Sequence, residues 1–292
     1  MNQTMETGTF AADSVTKLLE RLAFQIHHVR QNGDVEAVHD LRVAIRRFGQ
    51  SLVLFKDVFA GKEVKKIRRR LKELMKLTNE ARDCDVGIEL LPDSELAGAP
   101  SLIEDLRKRR KEAMRLLLPA LRRWRARKTS SKWRAALTPN GGSHVPLEET
   151  AGVRLPKLVK RFLRDGDHAA SADDLHHVRI EGKKLRYSLE LLEPVYGPAV
   201  TDWIEKVKSV QSLLGNANDC HAVRLLVADV GGDDEVEAWL KKRQRKKTRE
   251  FRKQWGTVAD ELRGIAALLK NSPPARKAVA HSAKPAKAAL RA

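Results

Sequence analysis

The sequence predicts an all-α fold built as two similar four-helix bundles, one from each half of the chain. Three observations carry that prediction. Apolar residues recur at helical spacing along most of the 292 residues, and alternating, strand-like runs are scarce. A histidine-and-cation pattern on one amphipathic stretch, VHDLRVAIRRFGQSLVLFKDVF (38–59), returns on a second, LHHVRIEGKKLRYSLELLEPVY (175–196). The order of elements around each copy also repeats, and a repeat of supersecondary size marks duplicated architecture.

Taken in order, residues 14–31 place Val15, Leu18, Leu19, Leu22 and Ile26 on one face, with Asp13 or Ser14 as N-cap. Asn32-Gly33-Asp34 ends that helix; the first basic helix then runs to about Phe59, and Gly61 closes it. Residues 62–79 form a third helix on Val64, Ile67, Leu71, Leu74 and Leu77. A polar corner, Asn79 to Asp85, and a short apolar segment to Leu91 lead into a long basic helix from Ser101 to Lys128. A kink is expected at Pro119, because proline removes a ladder hydrogen bond. Residues 129–150 contain Pro139-Asn140-Gly141-Gly142 and read as a linker.

The order then repeats. A helix over 151–165 precedes the second basic helix, and Gly197-Pro198 breaks the chain. Residues 199–214 put Val200, Trp203, Ile204, Val207 and Val210 on one side. A second corner, Gly215 to Cys220, matches the first with Asp219 on Asp83 and Cys220 on Cys84, and a final basic helix covers 233–270. The division is therefore a first repeat over 12–128, the linker 129–150, a second repeat over 151–270, and a basic tail over 271–292. The tail is rich in Ala, Pro and Lys and is expected to be disordered.

A net charge of +19 and a pI near 10.1 favour polyanionic partners without choosing among them. Two cysteines exclude a disulfide scaffold. No signal-peptide pattern opens the sequence, and no run approaches the ~18 apolar residues of a membrane span. A reduced, soluble, cytoplasmic protein with no membrane partner is expected. Only 5% aromatic residues argues against single-strand stacking platforms. There is no HExxH, no cysteine-histidine finger spacing, no phosphate-cradling Gly-rich loop and no nucleophile with a recognisable neighbour. No catalysis, no metal and no cofactor are expected.

The duplicated motif carries the functional signal. At an offset of 137 residues His39 falls on His176, Arg42 on Arg179, Arg46 on Lys183 and Arg47 on Lys184. On a wheel of about 100° per residue, Leu41, Ile45, Phe48, Leu52 and Phe55 share one side, with His39, Arg42 and Arg46 opposite and Arg47 flanking. In the second copy Val178, Leu185, Leu189 and Leu192 oppose His176, Arg179, Lys183 and Tyr187. Offsets of zero, three and seven stack the cations over two turns, where guanidinium forks suit the oxygens of successive phosphates. A merely solvated face usually alternates signs. Here hardly any acid is interleaved, and Val43, Ile180 and Tyr187 share the side, so each face lines a cleft. The two helices read as matching walls of one anion-binding site. Arg82, in the first corner, is in reach of the same anion, while Asp83 and Asp219 orient the cations or cap turns.

The pattern His-x-(Leu/Val)-Arg-(Val/Ile)-x-x-(Arg/Lys)-(Arg/Lys)-(Phe/Leu), twice in an all-helical basic chain with a corner after each, resembles the CHAD family, the conserved-histidine α-helical domains. The resemblance covers about residues 12–270. It implies two four-helix bundles related by a pseudo-twofold, with inorganic polyphosphate bound in a basic cavity between them. The family's basic positions carry over to His39, Arg42, Arg46, Arg47, His176, Arg179, Lys183, Lys184 and Arg186. One departure is visible: the first corner has Thr78-Asn79 where the second has Leu214-Gly215, the commoner form. The expected function is non-catalytic polyphosphate binding, with attachment to polyphosphate granules as its wider setting. A nucleic-acid-binding basic helical protein is the alternative.

Overall fold

The apolar stripes of the sequence become ten α-helices, which a computed structural model describes over residues 5–140 and 144–271. They are α1 (Thr7–Gln31), α2 (Val35–Leu54), α3 (Gly61–Leu77), α4 (Asn79–Leu90), α5 (Ala99–Ala126), α6 (Thr129–Ala136), α7 (Leu147–Asp167), α8 (Ala172–Tyr196), α9 (Ala199–Asp229) and α10 (Asp234–Asn271). A single 3-10 turn, Leu91–Ser94, joins α4 to α5. The described residues contain no strand, only two isolated bridges, Glu6 with Pro146 and Phe59 with Pro139. The fold is all-α.

Local chemistry sets the two helices that matter most. Gly33 takes φ +62, which an L side chain resists, and the Asp34 carboxylate then accepts from the Ala37 amide at 2.7 Å to cap α2. Arg110 of α5 clamps this turn by donating to the Gly33 carbonyl at 2.9 Å while pairing with the buried Asp85 of α4. The start of α8 is a reciprocal capping box between Ser171 and Asp174.

Two apolar cores hold the helices. The larger draws Leu22, Phe48, Phe162, Leu185 and Phe251 from both halves. The smaller joins Cys84, Leu91, Leu102 and Leu106 to Cys220, Val223, Val236 and Leu240, so α4 and α5 close onto α9 and α10. Each fully buried side chain of this size contributes roughly 1.5–3 kcal/mol. At α7 and α10 the packing is close enough that a Cβ on Gly166 would fall 1.9 Å from the Trp255 ring. Trp255 is pinned there by an indole hydrogen bond to Asp167 at 3.0 Å.

Several element boundaries differ from the sequence reading. The first helix starts a full turn or more before residue 14, because Thr7 and Ala11 are buried. The expected linker 129–150 opens instead with α6, whose Trp133 is 8% exposed and stacks against Phe48 and, edge-on, against Trp124. A buried indole offsets the entropy of ordering the segment; among the described residues the non-helical parts are 137–140 and 144–146. Pro119, the site of the expected kink, lies inside the continuous α5 between the fully buried Leu117 and Leu121. Of the two expected corners only one interrupts a helix, and residues 79–85 of the first lie inside α4. α9 runs unbroken through Gly215, since Leu214, Ala217 and Cys220 keep a buried stripe across it. The break falls in the first half, at Thr78, whose hydroxyl donates to the Met75 carbonyl at 2.7 Å and competes with the helical ladder. The expectation of a disordered tail over 271–292 falls, beyond Asn271 at the end of α10, outside the described residues.

Candidate functional site

α2 and α8, one from each half of the chain, pack against each other. Their seam is polar. Gln50 donates to the Ser188 hydroxyl at 2.9 Å, Ser188 donates to the Lys184 carbonyl at 2.8 Å, and Arg46 donates to the Tyr187 hydroxyl at 3.2 Å. One turn along each helix from this seam lie Arg42 and Lys183, then His39 and Arg179. The start of α4 adds Arg82 and Asp83, and the middle of α9 adds Asn218 and Asp219.

These side chains form one electrostatic cluster. Arg42 lies in the fields of Arg46, Asp83, Arg82 and Arg179; Lys183 lies in those of Arg179, Arg46, Arg42 and Asp219. Arg42 is held by Thr78 Oγ1 at 2.8 Å and Asn79 Oδ1 at 2.7 Å, the two residues at the α3–α4 break. Arg179 makes a long ion pair with Asp219, 3.9 Å, and is only 19% exposed. His176 stands at the exposed rim, its Nδ1 3.1 Å from Asn218 Oδ1.

Five cations, Arg42, Arg46, Arg82, Arg179 and Lys183, thus face two carboxylates. The titration behaviour registers that imbalance. Burial, then the repulsion of Arg179, Arg46 and Arg42, pushes the Lys183 ammonium down to about 6. Burial and the neighbouring Arg46 lower Arg42 to about 10, which leaves it charged at neutral pH. Burial lowers Arg179 despite Asp219, and burial with Arg82 and Arg46 lowers His39. Asp83 is raised by burial, against the pull of Arg42. Burial is the largest cause of each shift; the further lowering of Lys183, Arg42 and His39 by neighbouring cations is the part an added anion would relieve. At an effective dielectric of 20, a unit charge 4 Å away is worth about 4 kcal/mol before desolvation.

The sequence-predicted residues divide into three groups. His39, Arg42, Arg46, Arg82, Arg179 and Lys183 come together, and His176 guards the rim. Arg47, Lys184 and Arg186 do not join them. Arg47 pairs with Glu190 at 3.0 Å, Arg186 with Glu190 at 3.7 Å and with the Tyr187 hydroxyl at 3.1 Å, and Lys184 with Glu181. Arg47 and Lys184 each sit about 100° round the helix from Arg46 and Lys183; Arg186 lies seven residues on from Arg179, on the same side, but shares the Glu190 carboxylate with Arg47. Thr78, Asn79 and Asn218 are positioning residues that the sequence reading did not select; their signal was their place in the corners. Asp83 and Asp219 do face the cations, as one of their two expected roles required.

The chemistry available here is electrostatic. Cys84 and Cys220 lie in the smaller core, and burial raises both thiols, Cys84 to about 11, so neither is a thiolate nucleophile at neutral pH. No three of the described His, Cys, Asp and Glu side chains gather as a metal cage would require. No described helix is long and apolar enough to cross a membrane.

A family model described as the CHAD domain matches residues 14–228. Among solved structures, PptA from Streptomyces chartreusis is similar with a TM-score of 0.65 and 15% identity, over 89% of this chain and 100% of its own. The CHAD domain from the plant Ricinus communis is similar with a TM-score of 0.65 and 19% identity, over 94% of this chain and 95% of its own. No curated protein matches the sequence. At these identities the structural likeness speaks for the fold, and the family model for the kinship.

Proposed function

Because the chain belongs to the CHAD domain family, we propose that it binds inorganic polyphosphate in the cationic cluster between α2 and α8, without cleaving it. The observation that carries this reading is the excess of cations over carboxylates in a half-buried cluster, with Lys183 held down at about 6. A run of phosphates supplies the missing negative charge. Its oxygens take forked hydrogen bonds from Arg42, Arg46 and Arg179, a further contact from Arg82, and protons from His39 and His176 at either side. Lys183 regains its proton as the anion enters, so charge is made where it is needed. In this reading the two halves are copies related by a pseudo-twofold, and each contributes one wall.

In this reading the protein is a binder that attaches to polyphosphate, including its granules. A nucleic acid would fit less well. The aromatic ring nearest the cluster, Tyr187, is 2% exposed and covered by Arg186 and Arg47, so it offers no face on which a base could stack.

The test is a titration with polyphosphate, against single-stranded DNA and RNA of matched charge, over a range of salt. Polyphosphate should bind tightly at salt that releases both nucleic acids. Three ligands that weaken together would reduce the cluster to generic electrostatics. Phosphate release in the presence of divalent cations would overturn the non-catalytic part.

A further inference from the structure

α9 and α10 border a second basic feature, a groove of about 820 Å³. Its cations are Arg224 of α9 and Lys241, Lys242, Arg245, Arg249 and Arg252 of α10; neither a carboxylate nor an aromatic ring lines it. None of the six forms an ion pair among the described residues. Their neighbours Arg243 and Lys247 do, with Asp93 at 3.0 Å and Glu250 at 2.8 Å. The Nε of Arg224 is buried without a partner. Lys241, Arg245, Arg249 and Arg252 fall at spacings of four, four and three, so they share one face over about 16 Å of helix. Like charges at such spacing cost a few tenths of a kcal/mol per pair. Among the described residues no hydrogen bond or ion pair of these four side chains offsets that cost, except at one end, where Arg252 donates to the Ala170 carbonyl at 3.0 Å.

That end connects the groove to the cluster. Ala170 precedes Ser171, the cap of α8, and α8 is the helix that presents His176 and Arg179. Arg224 lies five residues beyond Asp219 on α9, roughly 7.5 Å along the helix. The groove is therefore fixed to the same two helices that form one side of the cluster.

We propose that the α10 groove is a second seat for the same linear polyanion: a long polyphosphate leaves the α2–α8 cluster past His176 and continues along Arg252, Arg249, Arg245 and Lys241. This rests on the polyphosphate reading given above. A lining of cations with no ring suits a chain that is phosphate throughout, since it reads charge spacing and offers bases no stacking face. The groove makes affinity depend on chain length: a short chain fills only the cluster, while a long one occupies both seats.

The test uses the full chain and a Lys241→Gln, Arg245→Gln, Arg249→Gln triple variant, with helicity and melting temperature checked first. Tripolyphosphate, long-chain polyphosphate and single-stranded DNA and RNA are the probes. The triple variant should lose about tenfold or more in long-chain affinity, with the slope of log K on log salt falling by about 2. Its affinity for tripolyphosphate should not change. Unchanged long-chain affinity and slope would overturn the proposal. So would a loss confined to single-stranded DNA or RNA, which would make the groove a nucleic-acid surface. The cluster is tested separately by Arg42→Ala with Arg179→Ala, which should lose both probes. If that variant keeps both while the groove variant loses the long chain, the groove stands and the cluster reading fails.

Discussion

Arg46 of α2 donates a 3.2 Å hydrogen bond to the Tyr187 hydroxyl of α8, and this contact ties the two walls of the cluster together. The same hydroxyl accepts from Arg186 at 3.1 Å, and the ring is 2% exposed. Tyr187 thereby aims Arg46 inward, one turn from Lys183. Replacing Tyr187 by Phe keeps the ring and removes the acceptor. The expected cost is about 1–2 kcal/mol in urea unfolding, with polyphosphate affinity reduced several-fold because Arg46 is misaimed but still present. An unchanged unfolding midpoint would mean that the contact holds nothing.

Arg42→Ala combined with Arg179→Ala removes one guanidinium from each wall. A charge-assisted hydrogen bond is worth roughly 1.5–3 kcal/mol, so the pair should lower polyphosphate affinity by at least a hundredfold. Removing two mutually repelling cations should leave helical circular dichroism intact and shift the melting temperature by less than about 5 °C. Calorimetric titration and a thermal melt read the two effects independently; retained affinity would sink the site assignment.

The Lys183 ammonium titrates at about 6 in the free protein, well below its ordinary value of 10.5. Binding should therefore take up a proton near neutral pH, and affinity should rise as pH falls from 8 toward 6. His39, also lowered, adds in the same direction. For stability the sign is opposite. Between pH 6 and 10.5 the unfolded chain holds the Lys183 proton and the folded one does not, so this group's contribution to stability increases with pH across that window. Lys183→Met should abolish most of the proton uptake measured in buffers of different ionisation enthalpy. It should also stabilise the free protein at pH 7 by about 1 kcal/mol or more. Proton uptake equal to that of the parent protein would place the titrating group elsewhere.

Trp133 offers a control distant in role from the cluster. It is 8% exposed and packed between Phe48 and Trp124. Trp133→Ala should destabilise the protein by about 3–5 kcal/mol, while polyphosphate affinity, measured where the variant is folded, stays within twofold. A loss of affinity in step with stability would mean that α6 supports the site directly.

The duplicated stripe was legible because a helix imposes its period on whatever it must bury. Leu41, Ile45 and Phe48 define the inner side of α2, and Arg42 and Arg46 are then necessarily outside it. The period gives an angle, however, and not the neighbour found at that angle. Arg47 and Lys184 look as exposed to an anion as Arg46 and Lys183 do until Glu190 and Glu181 are seen beside them. The same limit hid α6, where one buried indole outweighs a turn-rich composition, and it misplaced the corner. Asn and Gly at 215–216 suggest a break, but Leu214, Ala217 and Cys220 bury a continuous stripe, whereas the modest Thr78 ends α3 with a single hydroxyl.

The smaller core has a consequence for how this protein can be taken apart. Its apolar side chains come from α4 and α5 on one part and from α9 and α10 on the other, so neither half hides its own leucines and valines alone. The halves should melt in one transition, and neither should be recoverable as a free-standing module. A protease that cut only the connection between α6 and α7 would release nothing: the two fragments would travel as one particle, still facing each other across Arg42 and Arg179.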